Sequence, residues 1–318
     1  MTASSRPTAE STPRVSAVIP LHNGLPLTRR CLETLQATLP AGLTHEIILV
    51  DDGSTDGTGD WLAGLPAPCR AVRLERNLGF AAACNRGAAA AHGGFLAFLN
   101  NDLELLPGWI EPMLAAFSRL PRAAVVGNVQ VRVDTGEVDH AGIRIGADGK
   151  PAHLRERPAG PASDYRRVPA VTGACALVPR ARFNRLGAFD EGFRNGGEDV
   201  DLCLRAAAAG GTVWVALNST VRHHVSATPG RKQFDEQNSY RLFLRWRPVL
   251  RSEAWRSWCE RFLASAHAGR LPRHRRAEWR ASAFLRGWLP RPGRWAESAV
   301  RQAFLQEEAR WERLPPRP

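Results

Sequence analysis

Apolar residues in the first third of the chain arrive in short, nearly unbroken runs: Val15-Ser16-Ala17-Val18-Ile19-Pro20, Glu46-Ile47-Ile48-Leu49-Val50, residues 71–74, and Phe95-Leu96-Ala97-Phe98-Leu99. Runs this short predict strands covered on both faces of a sheet. Between them the spacing becomes helical, with Leu27, Cys31, Leu32 and Leu35 along 27–39, a shorter segment over 59–65, and an Ala-rich one over 81–91. Strands alternating with helices predict a parallel, doubly wound α/β sheet. Three strands then break into polar residues: Pro20 into Asn23-Gly24, Val50 into Asp51-Asp52-Gly53-Ser54, and Leu99 into Asn100-Asn101-Asp102. Open α/β sheets bind ligands above the carboxyl ends of their strands, so chemistry is expected at these breaks.

The pattern continues with a helix over 108–120 and an apolar strand over 123–133. Residues 134–165 are polar, contain Gly and Pro, and show little periodicity, which predicts a long loop of functional importance. Residues 168–179 read as a strand, 189–197 as a Gly-rich loop entering a helix at Glu198, and 211–216 as a further strand followed by polar residues to His224. Beyond Tyr240 helical segments are predicted, broken at Pro248, Pro272 and Pro290-Arg291-Pro292.

Apolar content of 44% and charged content of 23% are ordinary and leave this picture unchanged. Charge distribution changes it. Of the net +12, residues 241–318 carry +11, with 18 Arg, no Lys and seven of the ten Trp. The expected organisation is a disordered segment over 1–13, an α/β domain over 14–240 and a basic helical tail over 241–318. Three readings of the tail compete: contact with an anionic membrane interface, nucleic-acid binding, or packing of the Trp residues on the α/β domain. The first is preferred and nucleic acid is the least favoured. Six scattered Cys without a C-x-x-C pair signal neither a zinc cluster nor a disulfide framework. Cys31, Cys175 and Cys203 lie among apolar neighbours and read as buried thiols in a reducing cytosol. Residues 1–13 lack the apolar centre of a signal peptide. No window reaches the roughly 18 apolar residues of a membrane span. The expectation is a cytoplasmic protein whose membrane contact is confined to its surface.

Asp102, delivered by a buried strand, is a hard oxygen donor of the kind that holds Mg²⁺ or Mn²⁺ beside substrate phosphates. No G-x-G-x-x-G follows the first strand and no G-x-x-x-x-G-K-[ST] occurs, which excludes the usual dinucleotide and P-loop sites. Acidic strand ends point instead to a metal-bridged diphosphate.

The ordered set Val18-Ile19-Pro20-Leu21-His22-Asn23, Val50-Asp51-Asp52-Gly53-Ser54, Arg76-Asn77-Leu78-Gly79-Phe80 and Leu99-Asn100-Asn101-Asp102 resembles the family 2 glycosyltransferases of the GT-A fold. It is similar to bacterial members, many of them rhamnosyltransferases, that extend surface polysaccharides. The resemblance covers about residues 15–240. It implies metal-dependent, inverting transfer of a sugar from a nucleoside-diphosphate sugar to an acceptor, either a glycan or a lipid-linked one. It also implies site residues. Pro20 and Asp51 match the positions that hold the base, and a carboxylate there can accept the imide N–H of uracil or thymine. Arg76 matches a basic position near the nucleotide, and Asp52, Asn77 and Asn101 complete the expected donor contacts. Asp102 matches the last residue of the family's metal-binding D-x-D, with Asn100 replacing the first. Residues 134–165 match the variable acceptor-side excursion. Glu198-Asp199 matches the motif carrying the catalytic carboxylate, with Asp199 as base, Glu198 beside it and Asp201 as a helix-start carboxylate. A His after the last strand completes the metal sphere in some members. His223 and His224 point opposite ways in a strand, so one of them can reach the metal, and His224 is the one preferred. A sugar nucleotidyltransferase is the rival enzyme, but 22–26 lack its basic Gly-rich loop.

Overall fold

The computed structural model describes residues 14–157, 163–225, 234–271 and 274–313. The segment 1–13, expected to be disordered, and the break expected at Pro272 lie outside the described residues. The chain opens with β1 (Val15–Leu21), α1 (Leu25–Thr38), β2 (His45–Asp52), α2 (Thr58–Ala63), β3 (Cys69–Leu74), α3 (Phe80–Ala90) and β4 (Phe95–Leu99). These four strands pair in parallel, β1 lying between β2 and β4 with β3 at the edge. Next come β5 (Leu103–Leu105), α4 (Glu111–Arg119), β6 (Ala123–Arg132), β7 (Val138–His140), β8 (Ile143–Ile145), β9 (Pro151–His153), β10 (Tyr165–Arg167) and β11 (Cys175–Pro179). Finally α5 (Arg180–Arg185), α6 (Glu198–Ala208), β12 (Thr212–His223), α7 (Asp235–His267), α8 (Arg275–Leu285) and α9 (Arg294–Trp311) complete the chain. The main path of the sheet is β10-β12-β6-β11-β4-β1-β2-β3, with β5 and β7 on β12 and β6. Antiparallel β11 joins parallel β1–β4 to the parallel pair β6 and β12.

Strand alternation divides the core between the two faces of the sheet. Val18, Ile48, Val50, Leu96 and Phe98 meet α3, α5 and α6, while Ile19, Ile47, Leu49 and Leu99 meet Cys31, Leu32 and Leu35 of α1 and Met113 of α4. All six Cys are free and buried, including Cys31, Cys175 and Cys203.

Three sequence expectations change. The stretch 134–165 is not one loop: β7 adds to the main sheet, β8 and β9 form a hairpin, and Ala141, Ile143 and Ile145 are buried. Strands of three residues are too short to display a period of two. The last strand does not stop at 216, because a register shift between Ala216 and Thr220 lets β12 run on to His223. The expected break at Pro248 does not occur. α7 starts at Asp235 and runs through that proline, with Leu242, Phe243, Leu250 and Ala254 buried in the main core on both sides of it. An internal proline costs roughly 3 kcal/mol, and burying two large side chains at roughly 1.5–3 kcal/mol each offsets it.

Most tail Trp residues also pack inward. Trp311 meets Tyr240 and Phe243, Trp258 stacks on Phe262 and meets Trp295, and Trp255 meets Phe284 edge-on. For these the packing reading holds.

Candidate active site

The carboxyl ends of β1, β2 and β4 open into a cleft whose opposite wall is the loop 172–174 and the start of α6. At the end of β1, Pro20 lines the cleft and His22 Nδ1 donates to the Asp52 carbonyl at 2.8 Å.

The two carboxylates ending β2 part company. Asp52 lines the cleft and accepts the Leu78 and Gly79 N–H groups at 2.7 and 2.9 Å. Burial raises its pKa against the pull of those two amides. Asp51 is fully buried beside the cleft: Oδ1 accepts the Ser54 N–H at 2.9 Å, and Oδ2, 3.6 Å from Arg73 Nε, has no hydrogen-bond partner. Gly53 has φ +71°, and a Cβ there would lie 2.6 Å from the Arg76 carbonyl carbon. The Asp-Gly-Ser turn therefore lets the chain at 76–79 cross close above it, facing Asn77 into the cleft.

At the end of β4 the Asn100 N–H donates to the Ala174 carbonyl at 2.8 Å, joining the two walls. Asn101 donates to Thr28 Oγ1 at 2.9 Å and anchors the start of α1. Asp102 is buried, and its Oδ1 stands 3.2 Å from His223 Nε2. Neither atom has a hydrogen-bond partner, and neither does His223 Nδ1. His224 donates its backbone N–H to the Asp102 carbonyl at 3.0 Å, while its ring turns to Glu104 at 3.2 Å.

On the opposite wall Asp199 Oδ2 accepts the Gly173 N–H at 2.9 Å and Oδ1 accepts the Val200 N–H at 2.8 Å, which fixes the carboxylate plane. Glu198 is buried and accepts the Gly196 N–H at 2.8 Å. Asp201 turns away from the cleft and is fully buried, bound by Arg205 Nε at 2.7 Å, Arg245 Nη1 at 2.9 Å and Trp246 Nε1 at 2.8 Å. The loop entering α6 is clasped by α7. Asn238 accepts the Arg194 N–H at 3.2 Å and donates to its carbonyl at 2.7 Å, and Arg241 donates to Asp190 at 3.0 Å. Asn85 holds the loop from the other side, bonding both backbone groups of Phe189.

Residues 16–187 match the model of glycosyl transferase family 2. The chain belongs to that family. As a family 2 glycosyltransferase it is 32% identical over 251 residues to the O-antigen biosynthesis protein RfbC of Myxococcus xanthus, covering 75% of this chain and 19% of that protein. It spans 19% to 43% of the length of the curated relatives it matches. A crystal structure of GalNAc-T7 with UDP, GalNAc and Mn²⁺ superposes at a TM-score of 0.62 and 20% identity, covering 83% of this chain and 52% of that one. The mannosyltransferase PcManGT of Pyrobaculum calidifontis, in complex with GDP-Man and Mn²⁺, superposes at 0.55 and 18%, covering 95% and 88%. At these identities the two structures establish the fold alone, which is GT-A.

Of the expected site residues, Pro20, Asp52, Asn77, Asn101, Asp102, Glu198 and Asp199 line one cleft. Asp51 lies beside it and Arg76 is exposed outside its lining. His223, not His224, stands at Asp102. Sequence reasoning assigns no site role to His22 or Phe80, although both stand inside the motifs that carry the resemblance, nor to the 172–174 loop as a cleft wall, nor to Asn195. Nothing in the sequence links Phe80 to Asn195, because the contact of Asn195 Oδ1 with the Phe80 N–H spans 115 residues.

Proposed function

We propose that this glycosyltransferase moves a sugar from a nucleoside-diphosphate sugar to an acceptor hydroxyl with inversion, dependent on a divalent cation, in the synthesis of a surface polysaccharide or glycolipid. The observation that carries the reading is the Asp102–His223 pair. Two buried lone-pair donors stand 3.2 Å apart without a hydrogen bond between them. Asp102 would supply the hard carboxylate oxygen of a divalent-cation site, and the imidazole of His223 would favour a transition-metal ion such as Mn²⁺ over Mg²⁺. Among the described residues no group of three or more His, Cys, Asp and Glu could hold a metal. Asp102 and His223 would hold the cation, with diphosphate oxygens and water able to fill the rest of its shell. Bound there, the cation supplies charge neutralisation at the departing diphosphate. The Mn²⁺ and nucleotides in GalNAc-T7 and PcManGT support this donor chemistry, and the role of RfbC in O-antigen biosynthesis supports a polysaccharide acceptor.

The chain's own groups divide the remaining work. The unpartnered Oδ2 of Asp51 is the acceptor available to a base N–H at the end of β2. Asp52 holds the 76–79 crossing that presents Asn77 to the donor. Asp199, oriented by two backbone N–H groups, keeps lone pairs free to take the acceptor hydroxyl proton as the sugar transfers. Incubating purified protein and Mn²⁺ with a panel of UDP-, GDP- and dTDP-sugars should release nucleoside diphosphate from at least one. No release from any of them, with Asp102→Asn indistinguishable from wild type, would overturn the proposal.

A further inference from the structure

The Arg and Trp residues of 241–318 fall into two groups. Several on α7 and α9 are used internally, while Arg261, Arg294 and Arg301 are exposed and have no ion pair among the described residues. Arg241 and Arg245 pair with Asp190, Arg247 with Glu308, and Arg310 with Glu236 and Glu307. Around α8 this stops. Arg275, Arg276, Arg286 and Arg291 are exposed and, among the described residues, have no ion-pair partner. Trp279 and Trp288 are 59% and 66% exposed, whereas the other described Trp residues are buried or partly buried.

The exposed indoles beside unpaired Arg follow from how α8 sits. Ala281 and Phe284 pack on Cys259 of α7 and Ala296 of α9. Helical geometry then puts Arg275, Trp279 and Arg286 on one outward face, at spacings of four and seven residues. The chain leaves α8 with Trp288 beside that face, the Arg286 guanidinium 5.1 Å from its ring centroid. An indole in water exposes a large apolar area, and guanidinium groups without carboxylate partners leave their charge uncompensated at the surface. A bilayer interface suits both, taking the indole at headgroup level and the guanidinium groups against lipid phosphates. Single-stranded nucleic acid would stack its bases on open aromatic faces. One face of the Trp288 ring is already covered by Arg286.

We propose that the outer face of α8 and the turn after it form a docking surface for an anionic lipid bilayer. The inference does not depend on the catalytic reading. It is tested with the full chain and vesicles of phosphatidylcholine alone or mixed with phosphatidylglycerol. Sedimentation should show binding to the anionic vesicles stronger by roughly tenfold or more, because several guanidinium groups each add attraction. Tryptophan emission should shift to shorter wavelength. The double variant Trp279→Ser with Trp288→Ser should lose about tenfold in binding and most of the emission shift. Its melting temperature and release of nucleoside diphosphate in solution should not change. A second variant, Arg275→Glu with Arg276→Glu, should lose binding without losing Trp residues. Wild-type binding that ignores lipid charge, or both variants binding like wild type, would overturn the proposal. So would an oligonucleotide that displaces the vesicles and whose own binding is lost in the Trp variant, which would mark a nucleic-acid surface.

Discussion

Asp102 and His223 present the sharpest contrast with their chain neighbours. Val221, Arg222 and His223 alternate buried, exposed, buried, so the His next to an exposed Arg points inward and His224 points toward Glu104. His223→Ala should therefore abolish Mn²⁺-dependent turnover and Mn²⁺-dependent nucleotide binding by calorimetry. His224→Ala should keep both within a few-fold, and the reverse result would return the metal to His224. For Asp199 the isosteric change to Asn removes proton acceptance but keeps the shape. Transfer at saturating donor should fall by roughly 10²–10⁴-fold with donor affinity nearly unchanged. Equal losses in both would move the base to Glu198.

Elements carry the next level of argument. The helix α6 places Asp199 at the cleft and buries Asp201 two residues later against α7, so the base and its mounting share one turn. Asp201→Ala would leave Arg205, Arg245 and Trp246 without their shared acceptor. Because both Arg side chains are partly exposed, we expect a loss of about 2–3 kcal/mol rather than the larger cost of a fully enclosed pair. Urea denaturation should show this loss, and a change below about 0.5 kcal/mol would show that the junction is not structural. A second junction ties β1 and β2 to the turn before β4 through Glu46. Burial alone would raise its pKa, but the Ser16 hydroxyl and His92 N–H, both at 2.6 Å, bring it below the ordinary value. A depressed carboxyl contributes stability fully above its unfolded pKa of about 4.3, and loses it as pH falls through the folded value. Denaturation midpoints measured from neutral pH down to pH ~3 should show this acid limb. Glu46→Gln should flatten it, and an unchanged slope would assign the acid loss to other carboxylates.

For the whole molecule the decisive fact is that the C-terminal helices complete the core. Leu242, Phe243, Leu250, Val300, Phe304 and Trp311 belong to the cluster that also contains Val200, Leu202 and Phe193 around the α6 loop. The hairpin of β8 and β9 is roofed by the same helices, with Gly149 packed so closely on Phe304 that a Cβ would lie 2.9 Å from its ring. A chain ending at Tyr240 should therefore be insoluble or molten by near-ultraviolet circular dichroism. A truncated chain that stayed folded and released nucleoside diphosphate at the wild-type rate would show that the core does not need these helices.

Local pattern determined a great deal here. The run 95–99 is a strand at those bounds, Glu198 opens a helix, and the polar breaks after β1, β2 and β4 converge on one cleft. Each is set by residues within one element, where apolar period and turn chemistry act directly. Tertiary structure decided which of two like neighbours faces the cleft. Asp52 does so because the crossing at 76–79 offers it two N–H groups, and His223 stands at Asp102 because β12 shifts register between Ala216 and Thr220. It also decided that 138–154 folds inward and that Pro248 lies within a helix, since burial by elements far away in sequence outweighs local preference.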